Sequence, residues 1–377
     1  MSKRRWLLVS LTIVVASLVY VTRVRSGMSD FAVNYQAGQR LTAGETLYQT
    51  GDGHYMFKYL PASALLYAPL AQLPLEAAKP LWFAIVLGAI VWGFALSREL
   101  VAPDASVALT VIPALVLAKY FLHELRLGQI NAVVTVVMLL AARELSRPSG
   151  ARSQLAAGAL AGIATALKPY AALLFPYFIV TGRWWSAAAG AAVMGVALFV
   201  PTVFYGFEGN LAVLRQWADT LSASTPGLLT NADNVSVAAF FAKWRGDSTR
   251  ALAAAAVVLG VLAVLALVVI VRGRRRPGGV VLEVGLLLTL IPLVSPLGWD
   301  YTFLMSVLAV TLLVHHFGRF PKAVRLALAV NFALIALAVY DVMGRSLYAT
   351  FMQWSITTVN FIVIVVALAT LRFRNLG

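Results

Sequence analysis

The sequence contains no cysteine. That excludes disulfide staples, thiolate nucleophiles and cysteine-ligated zinc. Histidine is scarce, with four in 377 residues. His315 and His316 are neighbours, and adjacent helical positions do not share a face, so they form no chelating pair. Charge is scarce too: only 12% of residues are Asp, Glu, Lys or Arg, about half the share of a soluble domain. Acids number 15 against 30 basic residues. No Walker loop, GxGxxG, HExxH or GxSxG stands in a usable context. ATP or nucleotide-sugar chemistry from the cytoplasmic side is therefore unsupported. No internal repeat of the inverted-transporter kind is visible.

Apolar residues are abundant instead, at 61% of the chain, with a mean hydropathy of +0.84. No compact soluble domain can hide that much apolar surface, so lipid is the solvent and the chain is a polytopic membrane protein. The net charge of +15 would suggest nucleic acid in a soluble protein. Here it reads as basic cytoplasmic loops that set topology and meet anionic lipid, and no nucleic-acid partner is expected.

Lys3-Arg4-Arg5 precede an apolar run from Trp6 to Val21. Arg23 and Arg25 follow without a small-x-small cleavage site, so this run reads as an uncleaved first span. Residues 23–60 form a first long polar loop. Pro61 to Pro74 is too short to cross and reads as interfacial, since a span needs about 20 residues. Crossings follow at Lys79–Leu96, Ser106–Leu122 and Asn131–Ala142, with His123–Gly128 as a tight turn between the last two. Leu155–Leu167 and Tyr170–Thr181 are broken at Lys168-Pro169, and proline disfavours helix at the residue before it. They read either as two short helices or as one kinked span. Trp185–Tyr205 is rich in Ala and Gly, which suits close helix packing. Residues 206–249 form the second long polar loop, and further spans run to Leu371. Alternating these crossings from a cytoplasmic N-terminus gathers the arginine-rich loops on one side. The two long loops and most acids then lie outside, and a site is expected on that face.

The carboxylate candidates there are Asp30, Glu45, Asp52, Asp219, Asp233, Asp247 and Asp300. An isolated loop acid is ordinarily just solvated. Asp30 differs because it follows the first span within two turns, between an apolar wall and water. A carboxylate at such a boundary is a better base than one in bulk water. Among the outside cations, Arg23, Arg25 and Lys79 read as snorkelling side chains. Lys58, Arg126 and Lys168 are candidates to hold a lipid phosphate; Lys168 is embedded in apolar sequence, an expensive place for a charge. Tyr35, Tyr48, Trp299 and Tyr301 border the same face, either as an interfacial belt or as stacking platforms for sugar.

Several stretches in order resemble glycosyltransferase family 87. They are Ser29-Asp30-Phe31 with Tyr35, Gly44-Glu45-Thr46-Leu47-Tyr48, Tyr59-Leu60-Pro61, Gly128-Gln129-Ile130-Asn131, Gly162 to Pro169, Asn234-Val235-Ser236, and Ser295-Pro296-Leu297-Gly298-Trp299-Asp300-Tyr301. The resemblance implies a GT-C type bundle of about 10–12 transmembrane helices with short interfacial helices and one integral membrane domain over residues 1–377. It implies a multi-pass protein of a bacterial cytoplasmic membrane, with a polyprenyl-phosphate sugar donor, typically of mannose, and a lipid or glycan acceptor. Asp30 matches the family's early acidic residue. Gln129, Asn131 and Asn234 are expected on sugar hydroxyls, with Asp300 and Tyr301 standing where the family often has a histidine. No metal or other cofactor is expected, because cations can supply the charge. The competing reading is a transporter or flippase of lipid-linked glycans. It would call for charges deep in the spans, and these spans are nearly free of them except around Lys119, Lys168, Glu283 and Asp341.

Overall fold

The computed structural model describes residues 14–148, 150–246, 249–273 and 279–374. Lys3-Arg4-Arg5, the start of the first expected span, Asp247 and Arg274-Arg275-Arg276 lie outside the described residues. Among the described residues the chain is helical, and its only strand-like pairing is one bridge between Asn234 and Trp299. This is an all-α polytopic membrane protein. A helix satisfies its backbone polar groups internally, which lipid requires.

Helix α1 (Val14–Val24) leads to α2 (Ser29–Thr42), so the first long loop is itself partly helical. Met28 joins them with φ at 61°, an uncommon conformation for a side-chain-bearing residue. Its amide donates to the Arg126 carbonyl at 2.7 Å. Pro61–Leu66 and Leu70–Gln72 form only short 3-10 helices, so the 61–74 stretch does not cross. Helix α3 (Leu75–Val101) has 27 residues, about 40 Å at the α-helical rise.

Helices α4 (Ala108–Val116) and α5 (Ala118–Leu127) meet at a 64° bend. The sequence reading of His123–Gly128 as a turn is corrected here. Helix α5 continues through Leu127, and Gly128 caps it. His123 is therefore a helical residue, one turn beyond Lys119. Helix α6 is Asn131–Ser146.

Helix α7 (Ala151–Leu167) is followed by a 3-10 turn at Pro169–Leu173 and α8 (Leu174–Thr181). Helix α9 (Trp184–Phe199) packs on α7 through small residues. A Cβ at Gly158 would fall 2.1 Å from the Ser186 carbonyl oxygen, and one at Gly162 would fall 2.8 Å from that of Gly190. Only glycine allows backbones this close. Residue numbers rise together along the contact, so α7 and α9 run parallel. Helix α8 must return between them, which makes Lys168-Pro169 the end of one leg rather than a kink within a single span.

Helix α10 (Thr202–Ser224) bends 91° away from α9, and α11 is Val237–Arg245. The expected loop over 206–249 is thus mostly helix. Its polar residues lie along an amphipathic α10, which buries Val213 and packs Phe204, Tyr205 and Trp217 against Leu47, Tyr48 and Phe57. Helices α12 (Thr249–Gly273) and α13 (Gly279–Val294) follow. A 3-10 segment at Asp300–Ser306 runs into α14 (Val307–His315). Helices α15 (Lys322–Leu337) and α16 (Tyr340–Gln353) meet at a 100° bend, and α17 is Ile356–Phe373.

Helices α3, α12 and α17 are each long and apolar enough to cross a membrane. Among the described residues, counting each bent pair as one span brings the number to six, and α1, 169–181, α13 and 300–315 are shorter apolar segments. Helix α13 is buried along nearly its whole length, as is α14. A helix that is apolar all round belongs at the centre.

Candidate active site

The N-terminus of α2, the 55–59 segment, the end of α5, the 228–233 segment and the turn at 299–301 converge on one cavity of about 260 Å³. Asp30, in the first turn of α2, lies in its wall. Gln129 donates from Nε2 to Asp30 Oδ2, and also lies 3.1 Å from the Tyr301 hydroxyl. The other end of the same amide, Oε1, accepts from Lys168 Nζ at 3.0 Å. A lysine only donates, so this contact fixes which way the amide faces. Lys168 Nζ also donates to the Tyr59 hydroxyl at 2.9 Å.

A second network is buried beside the cavity. Asp300 is fully buried, with Oδ2 3.0 Å from Lys119 Nζ and Oδ1 3.1 Å from His123 Nδ1. His123 lines the cavity, and its ring meets that of Tyr301 edge-on at 5.4 Å. The turn carrying Asp300 is set by backbone. Val235 N donates to Gly298 O at 2.6 Å and Asp300 N to Asp233 O at 3.0 Å. A Cβ at Gly298 would fall 1.9 Å from the Pro292 carbonyl oxygen, so the chain closes here only over glycine.

The sequence candidates divide into two groups. Asp30, Lys58, Gln129, Trp299 and Tyr301 line the cavity. The others stand behind its walls or away from it. Lys168 is buried and reaches the site only through Gln129 and Tyr59. Arg126 is exposed and absent from the cavity wall. Tyr35 donates its hydroxyl to Leu73 O at 2.6 Å, and Tyr48 donates to Tyr59 O. Asn131 holds Glu124 at 2.7 Å and accepts from Tyr170. Asn234 is wholly buried: its amide donates to Pro296 O at 3.0 Å, and its Oδ1 accepts from the amides of Ser236 and Gly298.

Asp233, one of the carboxylate candidates, lines the cavity as well, and so do residues that the sequence had not marked for it, His123 and Asn231. The signal for His123 was its spacing from Lys119. Residues four apart share a helix face, a pairing that exists only because α5 continues through His123.

Burial lowers the pKa of Lys58, with Asp30 opposing that shift. Burial raises the pKa of Asp233, and nearby Asp300 adds to it. Lys58 is thus a cation on a partly desolvated wall, where its charge acts strongly on an anionic ligand. Among the described residues no three His, Asp or Glu side chains cluster as a metal site would require. The arrangement offers a fixed carboxylate, a cation and a ring of hydroxyl, amide and aromatic groups. It suits proton removal from a hydroxyl beside an anionic leaving group.

The sequence model of glycosyltransferase family 87 matches residues 57–296. That range starts after Asp30 and stops before Trp299. A curated relative from Mycolicibacterium smegmatis, a polyprenol-phosphate-mannose-dependent alpha-(1-2)-phosphatidylinositol pentamannoside mannosyltransferase, is 26% identical over 282 residues. The similarity covers 71% of this chain and 63% of the relative, so the chain spans under two thirds of that protein's length. No solved structure matches the chain.

Proposed function

Since the chain belongs to glycosyltransferase family 87, we propose that it moves a hexose, mannose first, from a polyprenyl-phosphate donor to a hydroxyl on a lipid or glycan acceptor. The transfer takes place at the extracytoplasmic face, and Asp30 is the general base. The observation that carries this reading is the cavity wall at Asp30, where Gln129 occupies one carboxylate oxygen and Lys58 lies on the same cavity.

With Oδ2 held by Gln129, Oδ1 is left for the acceptor. Its nearest partner is Ser29 Oγ at 3.4 Å, a distance at which little hydrogen bonding remains. Asp30 takes the hydroxyl proton as the acceptor oxygen bonds to the anomeric carbon. The bond from that carbon to the phosphate oxygen breaks, and its electron pair leaves with polyprenyl phosphate. The sugar passes through oxocarbenium character, and its configuration inverts. Phosphate leaves as a stable anion, so no general acid is needed. Lys58 stabilises the charge that builds on it, and Lys168 keeps Gln129 facing Asp30.

The deciding experiment supplies radiolabelled polyprenyl-phosphate mannose and membrane acceptors to purified wild type and Asp30→Asn. Transfer by the variant is expected to fall by about 10²- to 10⁴-fold, the usual worth of a general base. Equal transfer by the two proteins would remove Asp30 from that role.

A further inference from the structure

Asp233 has its backbone pinned, and its carboxylate has no hydrogen-bond or ion-pair partner among the described residues. The Asn231 side chain accepts from Asp233 N at 2.9 Å. The Asp233 carbonyl accepts from Asp300 N at 3.0 Å. The carbonyls on either side, of Ala232 and Asn234, both accept from Lys243 Nζ, at 2.8 and 2.7 Å. Asn234 then pairs with Trp299. Both backbone groups of Asp233 are paired, yet among the described residues no donor reaches its carboxylate. The side chain is half-buried and lines the cavity. A partly desolvated carboxylate without donors is costly, and a ligand with hydroxyls removes that cost.

Its neighbours match such a ligand. Trp299 and His123 line the same cavity as Asp233. Paired hydroxyls suit the two oxygens of a carboxylate, and an indole covers the C–H face of a sugar ring. At about 260 Å³ the cavity has room for little more than one pyranose ring. That ring must be the one whose anomeric carbon faces Asp30. We propose that Asp233 is a specificity-determining residue that accepts hydrogen bonds from vicinal hydroxyls of the transferred hexose, with Trp299 against the ring and His123 closing the corner. The inference rests on the hexosyl-transfer reading above and adds the group that tells one sugar from another.

Binding tests it without needing the acceptor. The full chain in nanodiscs is titrated with farnesyl-phosphate mannose, its 2-, 3- and 4-deoxy analogues, and farnesyl phosphate alone. Wild type is expected to bind at least one deoxy probe about 10- to 100-fold more weakly than the parent, the worth of a hydrogen bond to a charged group. In Asp233→Asn and Asp233→Ala that gap should close to about threefold or less, with farnesyl phosphate bound as in wild type, which also shows that the variants are folded. Variants that keep the full wild-type gap, or a wild type that shows none among the deoxy probes, would overturn the assignment. A wild type that binds farnesyl phosphate as tightly as the phosphosugar defeats the transfer reading itself, and the inference falls with it.

Discussion

His123 Nδ1 lies 3.1 Å from Asp300 Oδ1, joining α5 to the turn after Trp299. The same carboxylate holds Lys119 at 3.0 Å on its other oxygen. One buried anion thus fixes two side chains that share a face of α5, and through His123 a part of the wall of the cavity that Asp30 also lines.

Asp300→Asn should therefore destabilise the protein strongly. Lys119 would be left buried without its counter-charge, a loss of about 3–5 kcal/mol. Adding Lys119→Met should recover most of it, because the orphaned charge is gone. Thermal midpoints of the detergent-solubilised single and double variants check this; additive losses would show that the pair is not coupled.

Lys58 and Lys168 should separate kinetically. Lys58 lines the cavity and faces the donor phosphate before and during its departure, so Lys58→Met should raise the donor KM about 10- to 100-fold and lower kcat as well. Lys168 acts through Gln129, so Lys168→Met should lower kcat by up to about 100-fold through misplacement of Asp30, with a smaller effect on KM. Initial-rate measurements across donor concentration separate the two cases.

Arg126→Ala should leave donor KM within about twofold, as for most exposed positions. The side chain is exposed, and the Met28 contact uses the Arg126 backbone carbonyl. A large rise in KM would return Arg126 to the donor site.

The 45–59 segment should loosen in acid. Arg40 hydrogen-bonds Asp52, with Nη2 to Oδ1 at 2.8 Å, and holds its carboxyl below the usual range. A carboxyl whose pKa is depressed by folding contributes stability above its unfolded value, and that contribution is lost as pH falls through the folded value. Trp217 donates to Lys58 O at 3.2 Å, and its fluorescence reports on this segment. Wild type should show an acid step that Asp52→Asn lacks.

Gly298→Ala should disturb the site's turn. The added methyl would overlap the Pro292 carbonyl, and backbone cannot yield as a flexible side chain can. A loss of about 3 kcal/mol, at the upper end for overpacking, is expected in the thermal midpoint, together with reduced transfer.

Much of this protein was legible in the order of its residues. A chain with 61% apolar residues and 12% charge has only lipid to hide in, and lipid admits helices whose backbone bonds close locally. Asp30 stood out because its position after a span is a matter of sequence distance. Lys58, Gln129, Trp299 and Tyr301, singled out from short stretches, line the same cavity. Tertiary structure decided what local sequence does not encode, namely which faces meet. It carried α5 on through His123, placing that residue beside an Asp300 that lies far away in the chain. It made Lys168 a support for Gln129 rather than a wall of the cavity, and turned Asn131 and Asn234 inward as ties between segments. It also separated α7 from α8 at Lys168-Pro169, because the glycine contacts with α9 require parallel helices. Burial, pairing and direction depend on neighbours distant in sequence. The apolar pattern that places a helix in the membrane says little about which of its polar residues will share a cavity.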